Sequence, residues 1–367
     1  MTDVSFISSG HNVADARLHR LVRACRRRGL AVEVLALGDS SDGPQGARVR
    51  TWGRPTMRAR GLLALRIARA ASGRVVVAPD PDTLLAAWLL NHARPVGRAA
   101  RIVADVHENY TDLLRDRSWA GGPIGSAARA VPRGAAAVAR RADLTMVVDD
   151  HIEPLHARER VVVRNDPDLD LIGLPGPQST HPKAVYVGDT RSSRGLFEMI
   201  EVIARSPSWT LDIVGELAAA DRDGLAEALT RPELRGRVHV HGRRTPARTW
   251  DLVRDAWIGF ALLHDTPAFR DAVPSKLFEY LALGIVPVVT DLPRQRALLT
   301  EVGSGFVVGR PGRDTVEEAV ELLAAIAADP GVLEESRAHA LRWRERIERA
   351  GTAYELAAER IEALVNR

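Results

Sequence analysis

At 367 residues, with 46% hydrophobic and 27% charged residues and a formal net charge of +4, the chain has ordinary globular composition and room for two α/β domains. No apolar run approaches the roughly 20 residues of a membrane span, and the opening MTDVSFISSGHN lacks a basic region followed by an apolar stretch, so it reads as a first strand and loop rather than a leader. A single cysteine, Cys25, excludes an intramolecular disulfide and a cysteine-based zinc site, which implies a cytoplasmic protein with Cys25 in the core of the first helix.

VSFIS reads as a strand, SGHNVADARLHR leads into an amphipathic helix that Gly29 ends, and AVEVLAL is the second strand. This βαβ start places Ser8, Ser9 and Gly10 in a strand-to-helix loop, where ligands gather in open parallel sheets. It is not a GxGxxG fingerprint, so a nicotinamide cofactor gains little support. Arginine is clumped here: Arg17, Arg20, Arg23, Arg26, Arg27 and Arg28 crowd one helix, and Arg54, Arg58, Arg60, Arg66 and Arg69 follow. Such a face suits an anionic membrane surface or a plain solvated exterior. Nucleic acid ranks low, because no helix-turn-helix, zinc-finger or similar module is present.

RVVVAPDPDTLLAAWLL is a strand, a turn and a helix. Asp80-Pro-Asp82, and later Asp166-Pro-Asp168, superficially offer metal ligands. The first aspartate of each pair instead follows a strand and precedes a proline, which is turn and helix-cap chemistry, so no metal site is expected. IVADV is a strand with His107, Glu108, Asn109 and Tyr110 at its C-terminal end, a concentration of hydrogen-bonding groups that packing alone does not explain. Residues 111 to 141 read as a loop and an Arg-bearing helix, with Trp119 beside Arg115, Arg117 and Arg129 suited to an interfacial anchor. LTMVVD and RVVVRND are the next strands.

The prolines and glycines of residues 170 to 182 mark a linker, and KAVYVG restarts the α/β pattern. GDTRSSRGLFEMIEVI then turns into a helix with Arg191 and Arg194 at its start, beside Gly195. Paired cations with open helix N–H groups suit a diphosphate. TLDIVGE is a strand whose Gly215 reads as a close-approach position, and RVHVHGRR and IGFALLH are further strands.

DAVPSKLFEYLALGIVPVVTDLP is the most informative stretch. Pro274 suits a first helical turn, Leu277, Phe278, Leu281 and Ala282 give one apolar face, Gly284 ends the helix, and IVPVV is a buried strand. Ser275, Lys276 and Leu277 then present first-turn N–H groups to an anion. Lys183 and Lys276 are the only lysines among 51 basic residues, so a compact ammonium at 276 reads as a point charge for a phosphate or as a chance survivor on a solvated helix start. GSGFVV, a helix over 314 to 328 and helices over 331 to 365 complete the chain.

The stretch from Asp271 to Pro293 resembles the nucleotide-sugar loop and helix of retaining GT-B glycosyltransferases (glycosyltransferase family 4), whose motif is two acidic residues with seven between them. Asp271 and Glu279 have that spacing, with Asp where the family usually has Glu. The likeness continues elsewhere. His11, Asp15 and Arg17 match a version of the family's N-terminal loop, and Asp-Val-His-Glu resembles the segment that sets a histidine near the donor sugar. Asn165-Asp166-Pro167 is similar to the interdomain junction, and Gly242 and Arg243 resemble the base-binding turn. Arg194 stands for the family's phosphate lysine, while Asp189 stands where an arginine is usual and leaves Arg191 as its candidate replacement.

The resemblance implies a GT-B fold, two Rossmann-like domains facing each other across a cleft. Residues 1–168 would form the acceptor side, joined by the C-terminal helix of about 350–367; 169–182 would link, and 183–349 would bind the nucleotide-sugar. It implies His107, Asp271 and Glu279 as catalytic. Gly10, Arg191, Arg194, Ser275 and Lys276 would take the diphosphate, and Gly215, Gly242, Arg243, Leu277 and Glu279 the nucleoside. His11, Asp15 and Glu108 would lie on the acceptor side. The expected reaction is metal-independent transfer with retention from a nucleoside-diphosphate sugar, UDP-linked first and GDP-linked next, to a glycan, lipid-linked or natural-product acceptor, without a cofactor. A GT-B-fold UDP-sugar epimerase and a catalytically weak nucleotide-sugar-binding protein are the alternatives. A phosphorylase of this fold would need a pyridoxal phosphate lysine, which Lys276 would have to supply, and its place in the motif argues against that.

Overall fold

The computed structural model describes residues 2–56, 59–93, 99–106 and 122–367. The chain divides into two compact units, Met1–Asp166 with Gly351–Arg367, and Pro167–Ala350.

Unit 1 is built on seven strands: β1 (Val4–Asn12), β2 (Val32–Leu37), β3 (Arg48–Trp52), β4 (Val75–Ala78), β5 (Arg101–Val106), β6 (Leu144–Val147) and β7 (Arg160–Val162). All pair in parallel in the order β3-β2-β1-β4-β5-β6-β7. The β-branched runs VVVA of β4 and LTMV of β6 are buried throughout, as a sheet covered on both faces requires. One core cluster lies on each face of the sheet. Val4, Val77 and Met146 join Cys25 on one side, while Ile7, Val76 and Ile102 join Ile67 and Leu84 on the other.

Two details depart from the sequence reading. The first strand continues through Ser8, Ser9 and Gly10 to Asn12, with an irregular register between Ile7 and Asn12, because side chains from elsewhere bind that segment. The arginine-rich helix Ala16–Arg27 is also not a bare cationic face. The chain's last helix, Ala353–Val365, packs along it through Ala357, Ala358, Ile361 and Val365. Arg27 pairs with Glu355 and Arg28 with Glu362, while Arg17 and Arg20 lie over the Tyr354 ring. A capping box of Thr352 and Glu355 starts the last helix.

Unit 2 is a six-stranded parallel sheet of β8 (Lys183–Val187), β9 (Thr210–Val214), β10 (Val238–Gly242), β11 (Ile258–Ala261), β12 (Val286–Thr290) and β13 (Phe306–Val308), in the order β10-β9-β8-β11-β12-β13. Residues 169–182 precede it and include a short helix, Leu169–Ile172, whose Ile172 joins the core.

The helix Ser275–Leu283 is buried on every side, rather than on the single apolar face its spacing predicts: Lys276 through Leu283 are all buried. The helix Glu334–Ala350 covers it, and Trp343 stacks on Phe278 with ring centroids 6.1 Å apart. Pro274 occupies the N-cap, one position before the first turn, and Gly284 closes the helix at φ 68°.

Candidate active site

The C-terminal ends of β8 and β9 and the start of the helix Ser275–Leu283 meet in unit 2. Parallel strands bring their loops to that edge, where α/β folds bind ligands. Lys276 leaves the helix start and runs beneath this edge, only 5% exposed. Its Nζ lies 3.4 Å from the centroid of the Tyr186 ring on β8 and has no hydrogen-bond partner among the described residues. Burial, and secondarily the Arg194 guanidinium, push this ammonium well below the ordinary lysine range, while Glu279 and Asp189 pull the other way. An unpaired buried cation is costly, so the site is held in a strained electrostatic state by the packing around it.

The backbone above Lys276 is shaped by glycine. Gly188 has φ 125°, and a Cβ there would sit 3.4 Å from Lys276 Nζ and Cε. At Gly215 an added Cβ would collide with the Gly188 carbonyl, so the β8 and β9 ends can approach only without side chains. Gly215 N–H donates to the Gly242 carbonyl at 3.1 Å, which links β9 to the turn after β10. Tyr186 donates its hydroxyl to the Asp189 carbonyl at 2.6 Å, and burial pushes that hydroxyl up to about 12. Tyr280 accepts from Val187 N–H at 2.9 Å, clamping the helix to β8.

Arg194 ends a turn of 3₁₀ helix, Ser192–Arg194, ahead of the helix Leu196–Arg205. Its Nε has no hydrogen-bond partner among the described residues, its guanidinium lies 5.8 Å from the Phe269 ring, and Asp189 is 3.9 Å away. Arg191 pairs with Asp189 at 2.7 Å on the surface. Lys276, Arg194, Glu279 and Asp189 thus form one electrostatic cluster. Ser275 opens the helix without a side-chain cap, while the Leu277 N–H donates to the Pro274 carbonyl and its side chain is fully buried. Asp271 is exposed at the end of the short helix Pro267–Arg270, Gly242 has φ 64°, and Arg243 is exposed 3.9 Å from Glu216.

In unit 1, Asp80 organises a second polar corner. Buried to 1% exposure, it accepts from Ser8 Oγ at 2.5 Å, Ser9 N–H at 2.9 Å and Gly10 N–H at 3.1 Å. His11 Nδ1 lies 2.9 Å away and Arg60 3.4 Å away. Burial works to raise its pKa, but His11, Ser8 and Arg60 together hold the carboxyl well below the usual carboxylate range. Asp82 accepts from Ser9 Oγ at 2.6 Å and from Arg60 at 2.9 Å. The pair at 80 and 82 therefore pins the end of β1 to the helix Pro81–His92, and Asp80 does so in place of the helix cap its position predicts. A Cβ at Gly10 would sit 2.6 Å from both Arg60 and Asp80, so only glycine fits, and its N–H is already bonded to Asp80.

Asp15 caps the helix Ala16–Arg27 through Leu18 N–H, and Arg17 binds Asp105 at 2.7 Å and the Val163 carbonyl at 2.8 Å. His11, Asp15, Arg17 and Asp105 line a small cavity of about 30 Å³. His107 and Glu108 lie outside the described residues, as do Asn109, Tyr110 and Trp119. Among the described residues, neither Asp-Pro-Asp pair belongs to a cation-sized cluster. Asp149, Asp150 and His151 after β6 do approach one another closely enough. Asp166 instead accepts from Ala353 N–H, and Asp168 caps the helix Leu169–Ile172.

Residues 175–345 match the family described as Glycosyl transferases group 1, so the match falls on the unit that holds Lys276. Over the whole chain, sucrose-phosphate synthase from Thermosynechococcus elongatus superposes with a TM-score of 0.74 at 13% identity, covering 99% of this chain and 98% of that one. Anabaena HepE, in complex with UDP and glucose, gives 0.71 at 14% identity with full coverage of both. The fold is GT-B. In sequence, this GT-B chain is 25% identical over 170 residues to the GDP-mannose:cellobiosyl-diphosphopolyprenol alpha-mannosyltransferase of Xanthomonas campestris. That match spans 45% of this chain and 43% of the relative's length. The residues that the sequence reading missed are Tyr186 and Gly188. Their signal was a tyrosine within a β-branched strand, two positions before a glycine.

Proposed function

We propose that the protein is a retaining glycosyltransferase that moves a sugar from a nucleoside-diphosphate sugar to an acceptor hydroxyl. The observation that carries this reading is the buried Lys276 ammonium, unpartnered beneath a glycine-lined strand edge and coupled to Arg194. A diphosphate placed there would supply the missing counter-charge, and Ser275 would offer it a helix start without a side-chain cap. In the reaction the bond between the sugar's anomeric carbon and the diphosphate oxygen breaks, and the acceptor oxygen forms the new bond on the same face. The acceptor's proton leaves with the diphosphate. Lys276 and Arg194 meet the charge that grows on that leaving group, electrostatic stabilisation that needs no metal ion. Glu279 would take ribose hydroxyls, with Asp271 and His107 serving the donor sugar.

A UDP-sugar is the first choice of donor, supported by the UDP held by HepE, and a GDP-sugar is next, supported by the mannosyltransferase relative. A thermal-shift series with UDP, GDP, ADP and dTDP, with and without EDTA, tests the reading. A ligand at 100 times its dissociation constant adds about 2.7 kcal/mol of stability. A selective shift that survives EDTA is expected. No shift with any nucleotide would remove the donor site, and a shift that EDTA abolishes would remove the metal-independent mechanism.

A further inference from the structure

Three helices lie side by side on one face of the unit 1 sheet: Arg60–Ala70, Pro81–His92 and Gly122–Ala139. Their inner residues, among them Ile67, Leu84 and Val138, fill the core. Their outer residues are not the polar set of a solvated layer. Leu62 is 72% exposed and Leu89 63%, with Leu65 and Val131 also exposed. These are four of the nine large hydrophobic side chains exposed among the described residues, gathered on three adjacent helices. On the middle helix Leu89 projects outward, while Leu85 and Trp88 are half-buried and pack against the core.

The charge on these helices is one-sided. They carry five arginines and a single acidic residue, Asp82, in a chain that has 47 acidic residues. Asp82 is taken up by Ser9 and Arg60. Arg66, Arg69 and Arg133 are exposed beside the leucines. A second copy of this chain would set arginines against arginines across such a face, whereas an anionic bilayer satisfies both features. Leucine side chains enter the acyl boundary, and guanidinium groups meet the headgroups.

We propose that this face docks on an anionic lipid surface, in the manner of an interfacial, non-spanning protein. No helix of the described residues is long and apolar enough to cross a membrane. The proposal does not depend on the transferase reading.

The test is co-sedimentation of the full chain with phosphatidylcholine vesicles, with and without phosphatidylglycerol. Expected is retention on the anionic vesicles alone that weakens as salt rises. Near an anionic leaflet each arginine is worth about a five-fold change in affinity, so the charge reversals Arg66→Glu with Arg69→Glu should lower binding at least 25-fold. Leu62→Asp with Leu89→Asp should also release the protein. Both pairs are exposed, and an unchanged melting temperature confirms that each variant folds. Retention unaltered by either pair, or no retention on any vesicle, overturns the proposal. A dimer in solution that the leucine pair dissociates, with no vesicle binding by the parent chain, would assign the face to a second copy and overturn it too.

Discussion

The two polar corners, each at the C-terminal edge of a parallel sheet, are completed differently. In unit 1, Asp80 is a buried charge whose partners all come from the chain: two backbone N–H groups, a serine hydroxyl, His11 and Arg60. In unit 2, Lys276 is a buried charge whose nitrogen faces the Tyr186 ring and has no hydrogen-bond partner among the described residues. A buried ion that its own fold has satisfied contributes to architecture. One that the fold leaves unsatisfied destabilises the empty protein and gains when an opposite charge arrives. The first corner positions backbone, and the second is where a ligand should change the energetics.

The largest effect should come from breaking the satisfied corner. Asp80→Asn removes the charge that faces His11 and Arg60 and cannot accept every bond now made, so unfolding should become easier by about 3 kcal/mol, with or without nucleotide. The pH dependence follows from the sign of the shift. Asp80 is held below its unfolded value, so its stabilisation is complete above the ordinary carboxylate range, near pH 4, and declines as pH falls through the lower folded value. Urea titrations of the parent chain should therefore show an acid limb below about pH 4 that is shallower in Asp80→Asn. An unchanged midpoint and acid limb would mean that the network holds no net stability.

Breaking the unsatisfied corner should do the opposite to the empty protein. Lys276→Met keeps most of the volume and removes a charge that burial disfavours, so the nucleotide-free melting temperature should rise by a few degrees, as about 1 kcal/mol does in a domain of this size. Nucleotide affinity should meanwhile fall by about 1.5–3 kcal/mol, the worth of one charge-assisted bond, read by calorimetry. A variant that is destabilised and still binds nucleotide would place Lys276 among the structural ions with Asp80.

A finer test uses the proton itself. Because Lys276 titrates well below an ordinary lysine, the unfolded chain binds more protons than the folded one, and the cost of burying this group falls as pH rises. A bound phosphate favours the charged form, so nucleotide binding at a pH where the empty site is neutral should draw a proton from the buffer. Calorimetry in buffers of different ionisation enthalpy should show uptake of less than about one proton, lost in Lys276→Met. No buffer dependence in the parent chain would mean that the ammonium is already charged when empty.

The elements around both corners could be read in the sequence, for physical reasons that differ by residue. Lys276 stood out because almost every other cation is arginine, and Pro274 and Gly284 punctuate its helix. The strands were legible because both sheets are parallel and covered, which demands β-branched runs. The conflict at Lys276 was not legible. It depends on Tyr186 and Gly188, nearly ninety residues earlier in the chain, and on a covering helix that buries the polar side of Ser275–Leu283. Nor was Asp80's reach back to Ser8, since in sequence a buried organiser and a helix cap look alike. The strand β3 and the exposed leucines of Arg60–Ala70 went unmarked because short strands and surface leucines carry little local signal.

The smallest expected effect separates the two arginine-rich faces. Arg28 bonds Glu362 across the helices Ala16–Arg27 and Ala353–Val365, yet both side chains are about a third exposed. Such a pair is worth roughly 0.2–1 kcal/mol, since solvent screens it and two long side chains are ordered to make it. Arg28→Ala should therefore move the urea midpoint only slightly, far less than Asp80→Asn. It should also leave vesicle binding intact, because Arg27 and Arg28 already face carboxylates of the chain's own last helix. Loss of vesicle retention in Arg28→Ala would shift the lipid-facing surface from the three-helix layer to the first helix. The contrast between arginines that close a packed interface and arginines left facing outward would then fail.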